Sequence, residues 1–328
     1  MARVEIAAIE DAARRIAGHV RRTPTVPSSA LSELCGVPVH LKLEHWQETG
    51  AFKLRGATNA VLSLDGPERE RGVVAASTGN HGRALAHAAK KAGARCVVCL
   101  SNLVPANKRE AITALGAELR VVGRSQDDAQ VEVDRLARDE GMVPLPPFDH
   151  PAIIAGQGTI GLEIVEDVPE VETVLVPLSG GGLIAGIAAA VKAKRPRARV
   201  IGVSMQRGAA MQASLAAGRP VEVEELPSLA DSLGGGIGPD NRFTFAMTRD
   251  LVDEVVLLSE AEIAAGIRHA YFAEREIVEG AAAVGIAALL AGKVDASGPT
   301  VALLSGRNIA MDLHARVVAG ANGLEDAA

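Results

Sequence analysis

The chain has 328 residues, of which 48% are hydrophobic but only 2% aromatic, so any core must be built from Ala, Val, Leu and Ile. A formal charge of -6 without a long basic run argues against nucleic acid as the main partner, and the scarcity of rings removes the stacking platforms a single-strand binder needs. The length is more than one core usually spans, which leaves a soluble small-molecule enzyme of two lobes sharing a cleft.

In chain order, residues 1–20 read as an amphipathic helix with charges throughout, not as a secretory leader with an apolar segment behind a basic end. From residue 72 the pattern alternates: strand 72–78, Ala-rich helix 81–92 ending at Gly93, strand 95–100, a helix from Pro105 to Gly116, strand 118–122 and a charged helix 125–140. Such alternation implies right-handed crossovers and a mostly parallel sheet. Residues 142–151, with four prolines, read as a crossing between lobes. A second alternating set follows, with strand 173–178, helix 183–194, strand 200–205, helices 261–274 and 281–290, and a last strand 300–304. The uncharged stretch 173–191 is long enough to raise a membrane span, but Pro177 and three consecutive glycines break it, so strand, loop and helix is the better reading. No span is expected, and the compartment is expected to be the cytoplasm.

Three cysteines, an odd number, fit a reducing compartment. Cys96 and Cys99 form a C-x-x-C, a redox or metal cue elsewhere. Here the run has strand character, which points side chains three apart to opposite faces, so both are expected to be buried structural thiols.

Four segments carry chemistry. In Gln47-Glu-Thr-Gly-Ala-Phe-Lys53-Leu-Arg-Gly56 a tight small-residue turn precedes a lysine that would otherwise read as a solvated surface charge. Ser77-Thr78-Gly79-Asn80-His81 lies between a strand and a helix, where successive N–H groups suit a carboxylate; an ordinary helix cap by Asn80 or Thr78 is the alternative. Ser179-Gly180-Gly181-Gly182-Leu183 has the same placement and suits a phosphate, without the Walker lysine or the spacing of a dinucleotide loop. Leu304-Ser305-Gly306-Arg307-Asn308 puts a hydroxyl at the end of the last strand.

Together, and in this order, these segments resemble the fold-type-II pyridoxal-phosphate enzymes, the serine/threonine dehydratases and serine racemases. The resemblance extends through Arg22-Thr-Pro24, Leu41-Lys-Leu-Glu44 and Ile154-Ala-Gly-Gln-Gly-Thr-Ile160. It implies a two-lobed α/β fold of the tryptophan synthase β type, with residues 1–50 and 146–328 as the large cofactor-binding domain and 51–145 as the small one. Lys53 matches the lysine joined to pyridoxal phosphate, with Phe52 beside it. Asn80 matches the residue bonding the cofactor's phenolic oxygen. Ser77, Thr78, Gly79, Asn80 and His81 match the loop that holds the substrate carboxylate. Ser179, Gly180, Gly181, Gly182 and Leu183 match the phosphate loop, with Ser179 replacing its usual leading glycine. Ser305 matches the hydroxyl facing the pyridine nitrogen, which makes a weaker electron sink than a carboxylate would and suits β-elimination better than transamination.

Lys53, freed as a neutral amine, is expected to take the proton from Cα, after which the β-hydroxyl leaves as water. The departures from the family matter too. Thr78 stands where the racemases have a serine base, so racemisation is not favoured. Ser204 and Ala210 stand where the racemases carry acidic cation ligands, so no metal is expected. Arg307 replaces a glycine and Arg83 stands where glutamine is common. With the segment Leu229-Ala-Asp-Ser-Leu-Gly-Gly-Gly-Ile-Gly238, the motifs look most like the hydroxyectoine-utilisation dehydratase branch, in ectoine catabolism. Hydroxyectoine has no primary amine, so a ring-opened product such as 3-hydroxy-2,4-diaminobutyrate is the expected substrate. The alternatives are an L-threonine/L-serine or 3-hydroxyaspartate dehydratase, a serine racemase-like enzyme, or a binding protein that has lost catalysis. A homodimer without an appended regulatory domain is expected, with Asp231, Arg242 and Arg83 as candidates for reading the substrate side chain.

Overall fold

Among the described residues of the computed structural model (3–77, 79–104 and 106–326), ten strands form two sheets. The larger draws on β1 (Thr25–Pro27), β2 (Val39–Lys42), β7 (Thr173–Pro177), β8 (Arg199–Met205), β9 (Glu254–Leu258) and β10 (Thr300–Leu303), in the spatial order β1-β2-β10-β7-β8-β9. The smaller draws on β3 (Val73–Ala76), β4 (Cys96–Leu100), β5 (Glu118–Val121) and β6 (Val143–Pro144), in the order β5-β4-β3-β6. Only the β1–β2 pair is antiparallel; the other pairings are parallel. Helices cover both faces, so β3, β4 and β7 are buried along their whole length and read as unbroken apolar runs.

The alternating elements appear close to where the sequence places them. Helix Asn80–Ala92 ends on Gly93 in the left-handed conformation, and helix Gln126–Asp139 starts on a capping box of Ser125 and Asp128. The stretch 173–191 is strand, loop and helix, and no described helix is long and apolar enough to cross a membrane. Cys96 packs into the core beside Ala75 and Leu85, and Cys99 into the opposite one beside Ala76 and Val133. Both thiols are free, and burial pushes them up to about 12 and about 11.

Several features differ from the sequence reading. Residues 142–151 are not a crossing throughout, because Val143 and Pro144 pair with β3 before the chain crosses. Helix Pro151–Asp167 was visible in the sequence only as a family match, and β9 was not visible at all. The Pro105 start of the third predicted helix lies outside the described residues, and the helix is described from Ala106 to Ala114.

Helix Pro151–Asp167 is what holds the site's parts in register. A Cβ on Gly156 would fall 2.6 Å from Gly56 Cα in helix Lys53–Leu62, and one on Gly186 would fall 2.4 Å from Ile154 O. The bare glycines therefore let one helix touch both the helix that begins at Lys53 and the helix Gly182–Lys194 that follows the glycine loop. Below them lies a buried ionic cluster. Arg55 donates to Glu44 and Glu163, and Lys42 pairs with Glu163 at 2.7 Å and donates to Thr23 O. The segments Arg22-Thr-Pro24 and Leu41-Lys-Leu-Glu44 thus meet in one network, which fixes the start of the lysine's helix to the large sheet.

Candidate active site

A cleft of about 450 Å³ opens where the parallel strands of both sheets end. Residues following β3 (Ser77, Gly79, Asn80), β7 (Ser179 to Leu183) and β10 (Ser305, Asn308) line it, together with Phe52 and Lys53. Segments far apart in sequence converge because the loop after β10 bonds to the lysine turn: Ser305 O accepts from Phe52 N at 2.9 Å, and Gly50 O from Arg307 N at 2.9 Å. Thr78 lies outside the described residues.

Lys53 is the first residue of its helix and donates from Nζ to Pro147 O at 2.7 Å. Burial lowers its pKa from the ordinary lysine value to about 8, against the opposing pull of the Glu279 carboxylate. Its position at a positive helix end also disfavours a charged amine. A substantial fraction of this amine is therefore neutral, and hence nucleophilic and basic, near physiological pH.

The glycine loop between β7 and helix Gly182–Lys194 has no side-chain cap. Gly181 caps the helix at φ 88°, a region that penalises any side chain. A Cβ on Gly180 would lie 2.5 Å from the Phe148 ring, and one on Gly182 would lie 2.8 Å from Phe148 O. The bare backbone leaves the first N–H groups of a 13-residue helix to face the cleft, a site for a phosphate dianion.

Asn80 opens the opposite wall and is no helix cap. Gly79 is the N-cap residue, with no side-chain cap bond, and Ser77 Oγ accepts from Gly82 N at 3.1 Å. The Asn80 amide turns away from its helix, donating to Glu279 Oε1 at 2.8 Å and accepting from Asn308 Nδ2 at 2.6 Å. The His81 ring is buried and donates through Nε2 to Leu145 O at 2.8 Å, with Nδ1 unpartnered. Burial and nearby Lys53 hold this imidazole neutral, with its pKa lowered to about 3. Ser305 is 3% exposed and lines the cleft.

Of the candidates for reading the substrate, Arg83 and Asp231 line the cleft but Arg242 does not; its backbone N–H is tied to Asp149. Sequence reading missed Glu279, Asn308, Phe148 and Gln126, all of which line the cleft. Asn308 closes the Ser305 segment, where only the hydroxyl drew notice, and the other three sit in no recognisable motif; a buried glutamate in front of helix Gly280–Leu290 reads locally as an ordinary N-cap. Ser204 and Ala210 are buried without a carboxylate, and among the described residues no group of three or more His, Cys, Asp or Glu could hold a metal ion.

A lysine amine of lowered pKa, an anion-seeking helix end and a hydroxyl at the end of β10, brought together in one cleft, fit a cofactor that carries an aldehyde, a phosphate and a basic ring nitrogen. The comparisons agree. Residues 16–306 match the family model for pyridoxal-phosphate dependent enzymes. A protein of Sinorhizobium fredii, provisionally named a threonine dehydratase, is 63% identical over 98% of this chain and 97% of its own length. An L-threonine ammonia-lyase of Thermotoga maritima is 42% identical over 94% of this chain and 77% of its own. The structure of maize serine racemase superposes with a TM-score of 0.90 at 33% identity, covering 94% of this chain and 95% of that one. The chain belongs to the family of pyridoxal-phosphate-dependent enzymes and is a lyase that uses this cofactor.

Proposed function

We propose that the enzyme removes water from a β-hydroxy amino acid, releasing a keto acid and ammonia after hydrolysis of the dehydrated product. The observation that carries this reading is the Lys53 amine, its pKa lowered to about 8 by burial, set between two helix N-termini that each suit an anion. Gly180, Gly181 and Gly182, with Ser179 and Leu183 at their flanks, would hold the cofactor phosphate, and Ser77 to His81 the substrate carboxylate. Asn80 and Ser305 would contact the cofactor ring, and Phe52 would stand beside it. When bound, pyridoxal phosphate draws electron density from the substrate Cα and so acidifies its proton. Lys53 takes that proton as a neutral base, and Ser305 offers the ring a hydroxyl but no charge, which suits elimination. Residues 1–50 and 146–328 form the large domain in this reading and 51–145 the small one. The strands of the six-stranded sheet, within 25–42 and 173–303, and those of the four-stranded sheet, within 73–144, support that division. The three free cysteines suit the cytoplasm, and we take the enzyme to act there as a homodimer.

For the substrate we favour 3-hydroxy-2,4-diaminobutyrate, from hydroxyectoine breakdown. Glu225 and Asp231 in the cleft lining would complement its second ammonium group. The second reading, L-threonine, is supported by the names of the two lyase relatives. Ammonia release from the purified enzyme, compared across the diamino acid, threonine, serine and 3-hydroxyaspartate, decides between them. The first reading expects the highest kcat/KM with the diamino acid; turnover of threonine with none of the diamino acid overturns it.

A further inference from the structure

Four side chains in the cleft wall form one line of hydrogen bonds. Arg83 Nη1 donates to Asn308 Oδ1 at 3.2 Å, and Asn308 Nδ2 donates to Asn80 Oδ1 at 2.6 Å. Asn80 Nδ2 in turn donates to Glu279 Oε1 at 2.8 Å. The Asn308 backbone N–H donates to the other Glu279 oxygen at 3.1 Å, and Asn308 Nδ2 also donates to Thr49 O at 3.0 Å. No single motif contains this line, which joins three separate stretches of the chain: residues 80–83, Glu279 and Asn308.

We propose that Arg83 and Glu279 are positioning residues that force Asn80 to present an N–H, and not its oxygen, to the cofactor. The inference rests on the reading above, in which Asn80 touches the cofactor ring. Its logic is the polarity of the two ends. A guanidinium can only donate, so the group of Asn308 that faces Arg83 is its oxygen. That sends both Asn308 amide hydrogens to Thr49 O and Asn80 Oδ1. The Asn80 oxygen is thereby occupied, and its nitrogen points to a carboxylate whose two oxygens both face N–H groups. One Asn80 hydrogen is used on Glu279, and the second is left for the cleft.

An amide free to flip would present donor and acceptor alike; this one is a fixed donor, suited to an oxyanion. Packing leaves little slack. A Cβ on Gly306 would lie 2.5 Å from Glu279 Oε1, and one on Gly50 would lie 2.7 Å from Asn308 Oδ1. Burial, with Asp231 nearby, raises Glu279 to about 7, and the bonds from Asn80 and Asn308 favour its ionised form. Arg83 is the departure from the family at this end of the line.

The test measures the pyridoxal phosphate dissociation constant and the absorption maximum of the bound cofactor, one to two pH units above the Glu279 value, without substrate. Asn80→Ala should weaken binding by about ten- to a hundredfold, the range for a lost hydrogen bond to a charged group. Glu279→Gln, which puts a donor where the line must end in an acceptor, should reproduce most of that loss and shift the absorption maximum in the same direction. The double variant should bind no worse than Asn80→Ala alone, because the effect of Glu279 passes through Asn80. Additive losses, or a Glu279→Gln protein that binds as the wild type does while Asn80→Ala is weakened, overturn the inference alone. An Asn80→Ala protein with unchanged binding overturns the reading of Asn80 as a cofactor contact, and the inference with it. If Glu279→Gln does not fold, Arg83→Leu at the other end is read by the same cycle, with the same non-additivity expected.

Discussion

Arg55 grips Glu44 with two hydrogen bonds, from Nε at 2.9 Å and Nη2 at 2.7 Å, and the two side chains are 1% and 0% exposed. Burial alone would raise the Glu44 carboxyl, but Arg55 overrides it and holds it below the usual carboxylate range. Because Arg55 lies two residues beyond Lys53, the pair fixes the turn that presents the amine. Glu44→Gln leaves a buried guanidinium short of its counter-charge, and breaking such a pair costs about 3–5 kcal/mol. Urea unfolding of the apoenzyme should show a loss of that size. A loss under about 1 kcal/mol would mean that Glu163 alone suffices to anchor Arg55.

Lys53 carries two linked expectations. Lys53→Ala should remove both turnover and the yellow chromophore that borohydride reduction bleaches in the wild type. In the apoenzyme, capture of the cofactor needs the neutral amine, so its rate should rise with pH and level off above about 8. A rate that stays flat from pH ~6.5 to ~9.5 would contradict a depressed lysine pKa.

Gly180→Ala places a methyl group within 2.5 Å of the Phe148 ring, at a backbone that approaches the cleft. The loop must shift, and the helix N–H groups lose their aim at the phosphate. The cofactor dissociation constant should rise by at least about tenfold, on the scale of one charge-assisted hydrogen bond, while the melting temperature of the apoenzyme changes little. Equal cofactor binding in wild type and variant would move the phosphate site elsewhere.

His81 gives a pH dependence of defined sign. Its folded pKa, lowered to about 3 by burial and by Lys53, lies below the value of an unfolded histidine. The fold therefore binds fewer protons than the unfolded chain in that interval. The stabilisation is complete above pH ~6.5 and is lost as pH falls toward ~3, by up to about 1.4 kcal/mol per pH unit. His81→Gln keeps a donor for Leu145 O but cannot titrate. The stability gap between wild type and variant should be flat above pH ~6.5 and move against the wild type below it; a gap independent of pH would show that the ring titrates normally.

Much of the site was legible in the sequence because its backbone parts are local. Gly180-Gly181-Gly182 between an apolar run and an Ala-rich helix predicts a bare loop between a strand and a helix, and the structure has both. The opposite faces of Cys96 and Cys99 followed from strand alternation in the same way. Arg242 and the crossing at 142–151 were misjudged because a charged loop residue and a proline-rich stretch have no periodicity to say what they meet. Strand β9 was missed for a related reason: it begins on an exposed glutamate at the edge of its sheet, beside β8 alone, so its apolar pattern is short and incomplete.

By itself the sequence determined the alternating α/β order, the lysine turn and the two loops that begin helices, since each depends on contacts a few residues long. The tertiary structure alone decided that Asn80 faces Asn308 and Glu279, and that Arg55 closes on Glu44. These are meetings of side chains 11 to 228 residues apart. Only the packed sheets and helices bring them within hydrogen-bonding distance, and only burial turns ordinary charges into a shifted lysine, a shifted glutamate and a neutral histidine.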